Sequence, residues 1–251
     1  MHRETHLREH LRSGASGAGS DANLTRRAYE RIRSAIVFGR LDLGEPLSEV
    51  ELGRALGISK GPVRAALGEL QVKGLVEVVP QSGTYVFSPT RDRIEALCDF
   101  RYVLETTAIR LSMARDARKV TAQMRKVVAL MIKASKGGNR MRNKLLDTDF
   151  HQAFIRHCGN PYVLAAYETI GHSVEALRYR FLDTVIFQTR AFEEHKEMVG
   201  LLEAGKVDKV VLMLKDHIGR TKQFQSGIDW GSGRARRRDY KFRNYREALD
   251  G

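Results

Sequence analysis

The chain has 251 residues, of which 42% are hydrophobic and 29% are charged. This length suits one large domain or two modest ones, each with its own core. No apolar run approaches the roughly 20 residues of a membrane-spanning helix, and the first residues lack the apolar centre of a secretory signal. The two cysteines, Cys98 and Cys158, are too few for a disulfide framework, so we expect a reduced, cytoplasmic setting.

The formal net charge of +13 favours a nucleic-acid partner. The distribution of that charge does not locate a binding face, however. Residues 24–90 carry nine Lys and Arg against seven Asp and Glu, whereas residues 231–251 carry seven against three. A binding face must therefore be found from the local arrangement of residues.

The N-terminal part of the chain predicts an arm followed by two helices. Residues 1–23 are rich in Gly and Ser with little apolar content, which is typical of a flexible arm. A helix begins at Leu24, and an extended connector follows it. Ser48 then opens a second helix, and Glu51 three residues later completes a predicted capping box. Gly57 supplies the stop signal for this short helix.

A third helix begins after Ser59. Pro62 is tolerated there because the first four N–H groups of a helix have no internal partner. The inward face of this helix is predicted to be apolar and consists of Val63, Ala66, Leu67 and Leu70. The opposite face presents Lys60 and Arg64 together with Gly61 and Gly68. Two cations among small residues allow a close approach to a polyanion. The alternative is an ordinary solvated helix face.

The segments LVEVV and TYVFS flank PQSG, which predicts a β-hairpin. Helix, short helix, tight turn, third helix and hairpin make a winged helix-turn-helix, whose third helix enters the major groove by its N-terminal residues. Residues 24–90, with SEVELGRALGISKGPVRAALGELQVKGLVEVVPQSGTYV, resemble the DNA-binding domain of the GntR family of bacterial transcription regulators. The resemblance depends on the PVRxAL core, the KGLVEV link and the glycine at the tip of the wing.

That resemblance implies DNA contact by four residues, Ser59, Lys60, Arg64 and Gly83. Arg64 is the best candidate to read a base, because a guanidinium pairs bidentately with guanine. Ser59 at a helix N-terminus suits a phosphate. The sequence departs from the family pattern at Gly61, where a Thr is frequent, and at Val50, where some relatives carry an Arg. The operator sequence of a relative therefore does not transfer to this chain.

From Arg91 to about residue 226 the pattern is helical throughout. We predict six amphipathic segments, 92–116, 121–136, 142–158, 161–182, 186–204 and 207–226. The predicted fold class is mainly α, with an N-terminal winged helix-turn-helix domain followed by an all-α six-helix bundle. The predicted domains are 24–90 and 91–226, followed by a basic tail over 227–251.

Several polar residues lie on the apolar stripes of the predicted bundle. Arg101 lies in the middle of the first stripe and must find an anion there. That anion is either Glu105, four residues along the helix, or an acidic ligand. Four further polar residues also lie on apolar stripes of the bundle: Asp147, His151, His195 and His217. They are either satisfied core residues or ligands of a divalent metal ion such as Zn, Ni, Mn or Fe.

The same region, about residues 92–222, resembles the ligand-sensing FCD domain of the FadR subfamily within GntR. The motifs that carry the resemblance are RYVLE, DTDFH with its downstream GNP, EEH and KDH, and six rather than seven helices indicate the VanR-like group. The resemblance implies a divalent metal ion at Asp147, His151, His195 and His217, and a small carboxylate effector held by the metal and Arg101. His157 and His172 match no ligand position, and His172 is the better candidate to line the effector pocket.

The leading hypothesis is an effector-responsive transcription regulator that binds a near-palindromic double-stranded operator as a homodimer. The main alternative is a metal-dependent enzyme, which needs a free general base near the metal-bound water. We expect no spare carboxylate beside His195 or His217. A third alternative is an architectural DNA-binding protein with a structural metal and no effector. The tail GRARRRDYKFRNYR is typical of a solvated segment, although its interleaved aromatic residues leave a nucleic-acid role open.

Overall fold

The computed structural model describes residues 21–182, 185–226 and 245–250. The described residues divide into two compact units. The first contains residues 21–87 and 245–250, and the second contains residues 88–182 and 185–226. None of the described helices is both long enough and apolar enough to cross a membrane.

The first unit is a winged helix-turn-helix, as predicted. Its elements are α1 (21–37), β1 (Pro46–Leu47), α2 (Glu49–Leu56), α3 (Lys60–Val72), β2 (Val76–Val79) and β3 (Gly83–Val86). The strands form an antiparallel sheet in the order β1-β3-β2, with Pro46 opposite Tyr85 and Val78 opposite Thr84. Residues 21–23, which the sequence pattern assigns to the arm, are already helical, and residues 1–20 lie outside the described part of the chain.

Local chemistry explains where α2 begins and ends. The Ser48 Oγ accepts a hydrogen bond from the backbone N–H of Glu51 at 3.3 Å. The Glu51 carboxylate instead accepts two bonds from Arg54, at 2.8 and 2.7 Å. Gly57 adopts the left-handed conformation with φ 67° and so ends the helix. Inside α2, a Cβ at Gly53 would lie 2.9 Å from the Ile58 carbonyl oxygen, so this turn requires a glycine.

The second unit is a helical bundle. It contains α4 (Arg91–Lys136), α5 (Arg140–His157), α6 (Pro161–Phe181), α7 (Val185–Glu203) and α8 (Val207–Ser226). Asp116 interrupts α4 with extended backbone at φ −159° and ψ 81°, so this element is two helical segments. With α4 counted as two, the described part of the bundle has the six segments predicted from the sequence. Its core includes Met124, Leu146, Phe150, Phe154 and Leu214, all fully buried.

A short C-terminal helix, α9 (Tyr245–Asp250), belongs to the first unit. The Tyr245 hydroxyl donates to the Pro46 carbonyl oxygen at 2.6 Å, and Arg31 Nε in α1 donates to the Leu249 carbonyl oxygen at 2.6 Å. Arg31 also forms an ion pair with Asp250. Residues 245–250 of the predicted tail are therefore packed on the winged helix-turn-helix. The rest of that prediction, residues 227–244 and 251, lies outside the described residues.

The packing of α9 predicts that the C-terminus stabilises the DNA-binding unit. Leu249 is 1% exposed, so Leu249→Ala should lower the free energy of opening of α1 and α2 by about 2 kcal/mol. Native-state amide hydrogen exchange of the full-length protein measures this energy. The matched control is Glu247→Ala, whose exposed side chain should change it by less than about 0.5 kcal/mol. Equal protection of α1 and α2 in the two variants would contradict this account.

Candidate metal centre and DNA-contact face

Four predicted ligand residues meet inside the bundle. Asp147 and His151 lie one turn apart on α5, His195 lies on α7 and His217 on α8. Each offers one ligand atom, and these atoms all lie within 4.8 Å of one another. The three imidazole centroids are 5.1–5.3 Å apart. The i,i+4 spacing on α5 and the inward stripes of α7 and α8 therefore produce one cluster.

The cluster is buried, and burial sets its protonation. His151 and His195 have no exposed surface, and Asp147 is 3% exposed. Burial lowers the pKa of both His151 and His195 well below the usual value for histidine, which favours the neutral form that binds metal ions. Burial also raises the pKa of Asp147, and the nearby Arg178 guanidinium opposes that rise.

Two carboxylates orient two of the imidazoles. The nitrogen Nδ1 of His151 lies 2.8 Å from Glu105 Oε2, and Nδ1 of His217 lies 2.8 Å from Glu194 Oε2. A ring that donates through Nδ1 presents Nε2 as its free lone pair, and metal-binding histidines are commonly held this way. The α7–α8 packing brings Glu194 to His217, but Glu194 is not a spare carboxylate, because it pairs with both His217 and Arg220.

Unpaired atoms in the cluster fit a divalent metal ion. Both ring nitrogens of His195 are buried and have no hydrogen-bond partner among the described residues, and Oδ2 of Asp147 has only an ion-pair contact with Arg178 Nε at 3.2 Å. Buried polar atoms are normally hydrogen-bonded, so these atoms indicate a missing partner. Three imidazoles and a carboxylate are donors that suit Zn, Ni, Mn or Fe. The residues present thus fit the ion that the sequence analysis predicts.

Arg101 takes the ion-pair alternative in this structure. It is 2% exposed, and its Nε donates to Glu105 Oε1 at 2.7 Å. Burial raises the pKa of Glu105, but the charges of Arg101 and Arg178 and the contact with His151 together outweigh burial, and the resulting pKa lies well below the usual value. Burial also raises the pKa of Tyr167, whose hydroxyl donates to Glu105 at 3.2 Å, to about 12.

Arg178 on α6 is a site residue that the sequence analysis missed. It is 4% exposed, with Nε 3.2 Å from Asp147 Oδ2 and Nη2 3.6 Å from Glu105 Oε1. Neither nitrogen has a hydrogen-bond partner among the described residues. Arg178 lies between Val174 and Phe181 on an apolar stripe, which is the same signal that identifies Arg101.

A small, partly open cleft lies beside the cluster. Its lining combines polar and apolar side chains, namely Met131, Asn143, Asp147, Leu182, Gln188, Phe192 and His195. The Asn143 Oδ1 is buried there without a hydrogen-bond partner among the described residues. His172 is not part of this lining and lies 3.8 Å from Glu175 of its own helix. His157 bonds the Ala153 carbonyl oxygen at 2.6 Å, which is a structural role.

The predicted DNA-contact residues are exposed on the first unit. Ser59, Lys60 and Arg64 lie at the N-terminal end of α3, and Gly83 begins the second hairpin strand. The predicted inward residues of α3 are buried: Val63, Ala66, Leu67 and Leu70. Ser59 occupies the N-cap position of α3, but its side chain makes no capping hydrogen bond to the described first turn.

Comparison with known proteins identifies both units. Residues 24–86 match the family described as bacterial regulatory proteins, gntR family, and residues 96–220 match the FCD domain. The chain is 31% identical over 199 residues to a Paenarthrobacter nicotinovorans protein named "Probable D-xylose utilization operon transcriptional repressor", covering 77% of this chain and 87% of the relative. The protein belongs to the GntR family. The FCD domain gives this GntR regulator the architecture of the FadR subfamily.

Other relatives agree with this assignment. The Nta operon transcriptional regulator of Aminobacter aminovorans is 26% identical over 179 residues, which cover 70% of this chain and 81% of the relative. A GntR transcriptional regulator from Rhodococcus sp. RHA1 shares the fold, with a TM-score of 0.70 at 21% identity, covering 81% of this chain and 98% of that chain. The two named relatives are transcriptional regulators, and the gntR family is one of bacterial regulatory proteins. The GntR regulator is accordingly a DNA-binding protein and not an enzyme.

The hydrogen bond between His217 and Glu194 predicts an effect on metal affinity. Glu194→Gln removes the charge that orients His217, so it should weaken Zn²⁺ binding about 10- to 100-fold. A competitive titration with a chromogenic chelator measures this affinity. The neighbouring Glu193 is 58% exposed and pairs with Lys196, so Glu193→Gln is the matched control and should leave the affinity unchanged. Equal Zn²⁺ affinity in both variants would contradict the orienting role.

Proposed function

We propose that this GntR regulator binds a divalent metal ion and a small carboxylate effector in its helical domain, and that the bound effector controls its affinity for a DNA operator. The observation that carries the proposal is the buried cluster of Asp147, His151, His195 and His217, whose unpaired atoms fit a metal ion. We assign DNA recognition to residues 24–90 and effector binding to residues 91–226.

The side chains around the cluster hold it in place. Glu105 and Glu194 orient two imidazoles, and the His195 ring stacks on Phe150 with centroids 3.9 Å apart and planes 19° apart. This stacking fixes the ring plane of His195, whose nitrogens make no hydrogen bond to the described residues. When bound, the divalent ion supplies a Lewis-acidic site for a carboxylate oxygen.

The balance of charge favours an anionic effector. Arg101, Arg178, Arg220 and a divalent ion together carry five positive charges, whereas Glu105, Asp147 and Glu194 carry three negative charges. In a buried site of low dielectric this excess attracts a carboxylate strongly. Of Arg101 and Arg178, Arg178 is the better placed to bind the acid, because its Nε lies 3.2 Å from Asp147, a proposed ligand of the ion, and neither Nε nor Nη2 makes a hydrogen bond to the described residues. Arg101, which the family resemblance nominates, contributes its charge while paired with Glu105.

The relatives support control of an operon. Two of them are named for the operons that they regulate, one for D-xylose utilization and one for Nta. We propose that this chain acts in the cytoplasm on a near-palindromic operator, as a homodimer, because two-fold proteins place two recognition helices on two half-sites. Sedimentation of the purified protein should then give a particle of about twice 28.4 kDa, and a monomer bound to DNA would refute the dimer.

The four exposed residues Ser59, Lys60, Arg64 and Gly83 are the proposed DNA contacts. Arg64→Ala should cost about 1–3 kcal/mol of operator binding and flatten the preference at one base position, since only a guanidinium pairs bidentately with guanine. Lys60→Ala should weaken binding to all sequences alike and reduce the salt slope by about one. Fluorescence anisotropy with operator variants at several salt concentrations distinguishes the loss of base preference from the reduced salt slope. An unchanged base preference in Arg64→Ala would remove its reading role.

The metal and effector proposal is tested with His195→Ala. Purified wild-type protein should retain about one divalent ion per chain, and a panel of mono-, di- and hydroxycarboxylic acids should include one that raises its Tm. His195→Ala should lose most of the ion and the whole Tm response. His157→Ala is the matched control and should keep both, because His157 bonds a backbone carbonyl away from the cluster. A Tm response that survives in His195→Ala means that the acid binds elsewhere.

A further inference from the structure

The exposed Arg64 is held by a carboxylate from the neighbouring helix. Although its side chain is 72% exposed, Arg64 Nε donates to both oxygens of Glu49 at 3.0 and 3.1 Å, and Nη2 donates to Oε2 at 2.7 Å. Glu49 is the first residue of α2, directly after the N-cap Ser48. The hydrogen bonds from Arg64 lower the pKa of Glu49, so this carboxylate is ionised at neutral pH.

The pairing with Glu49 occupies one edge of the Arg64 guanidinium, and a second edge is available to bind a base. The Nε–Nη2 edge faces Glu49, while one hydrogen on Nη1 and a second on Nη2 remain on the adjacent edge. Two parallel donors of this kind match the N7 and O6 acceptors of guanine. Because a planar carboxylate binds a guanidinium in a fixed orientation, Glu49 also fixes the plane in which these donors lie.

The pairing with Glu49 also weakens the attraction of Arg64 for DNA phosphates. An unpaired arginine at the end of a recognition helix binds any phosphate that comes within reach, whatever the sequence. A carboxylate beside it cancels most of its net charge and repels phosphate oxygens. The guanine edge is neutral and presents only the N7 and O6 acceptors to the free edge of Arg64, so its binding is weakened much less by Glu49.

We propose that Glu49 is a specificity-determining residue, which positions the Arg64 guanidinium for a base and keeps it from acting as a phosphate anchor. This inference depends on the proposed role of Arg64 in reading the operator. It assigns Glu49 a positioning role, since Glu49 acts through Arg64. Removing the charge of Glu49 should therefore raise affinity for DNA in general while lowering discrimination at one base position.

The experiment compares full-length proteins on a library of randomised DNA duplexes, with bound sequences read out for each variant. Glu49→Gln should reduce the preference at the position read by Arg64 about two- to tenfold, as expected when an ordered side chain becomes free to adopt other rotamers. It should also tighten binding to an unrelated duplex at low salt. Glu51→Gln is the matched control: it removes a carboxylate from the same first turn of α2, but that carboxylate pairs with Arg54. Its preferences should equal those of the wild type.

Arg64→Ala and the double variant separate the outcomes. If Arg64→Ala leaves every base preference unchanged, the proposed role of Arg64 fails, and the role of Glu49 fails with it. If Arg64→Ala flattens one position but Glu49→Gln leaves that position unchanged, only the role of Glu49 fails. If both flatten it, adding Glu49→Gln to Arg64→Ala should cause no further loss at that position. A further loss there would show that Glu49 acts on DNA without Arg64 and would overturn the positioning role.

Discussion

The bundle is organised around one buried carboxylate. Glu105 has no exposed surface, and it accepts hydrogen bonds from Arg101 at 2.7 Å and from Tyr167 at 3.2 Å, while His151 Nδ1 lies 2.8 Å away. Arg178 approaches the same carboxylate at 3.6 Å. These partners come from α4, α5 and α6, so burying one negative charge ties three helices together. Removal of one member of a buried ion pair typically costs about 3–5 kcal/mol, because the other charge is left uncompensated.

The need of buried carboxylates for partners also orders the candidate metal centre. Since Glu105 orients His151 and Glu194 orients His217, two imidazoles are fixed before any ion arrives. His195 is the exception, because packing on Phe150 holds its ring, and neither of its nitrogens makes a hydrogen bond within the described part of the chain. A site prepared in this way loses little conformational entropy on binding an ion. An effector bound there changes DNA affinity only by as much as it discriminates between two states of the protein, and couplings of about 1–3 kcal/mol are typical.

The features that the sequence predicts are those set by neighbours along the chain. The start of α2 at Ser48 follows from its cap and its stop from Gly57, and the i,i+4 pair of Asp147 and His151 follows from helical spacing. Arg178 lies on an apolar stripe like the one that identifies Arg101, so the sequence contains enough information to predict Arg178 as a site residue. The contact between Glu194 and His217 could not be predicted in this way, because it depends on how α7 packs against α8.

The remaining differences have the same origin in long-range contacts. The docking of Tyr245 on Pro46 joins residues 199 positions apart, and no periodicity in the tail indicates it. The pairing of Glu49 with Arg64 depends on the angle of the turn between α2 and α3, which local propensity does not determine. In both units the elements follow from local chemistry, whereas the partners of the charged side chains follow from the tertiary fold.

The central claim is that occupancy of the buried cluster sets operator affinity. Its most direct test is an operator titration of wild-type protein, stripped of metal or reloaded with Zn²⁺, in the presence and absence of an acid that raises the Tm of the loaded form. The account predicts an acid-dependent change in operator affinity of about 5- to 150-fold in the loaded protein and none in the stripped protein. An equal change in both forms, or no change in either, would contradict it.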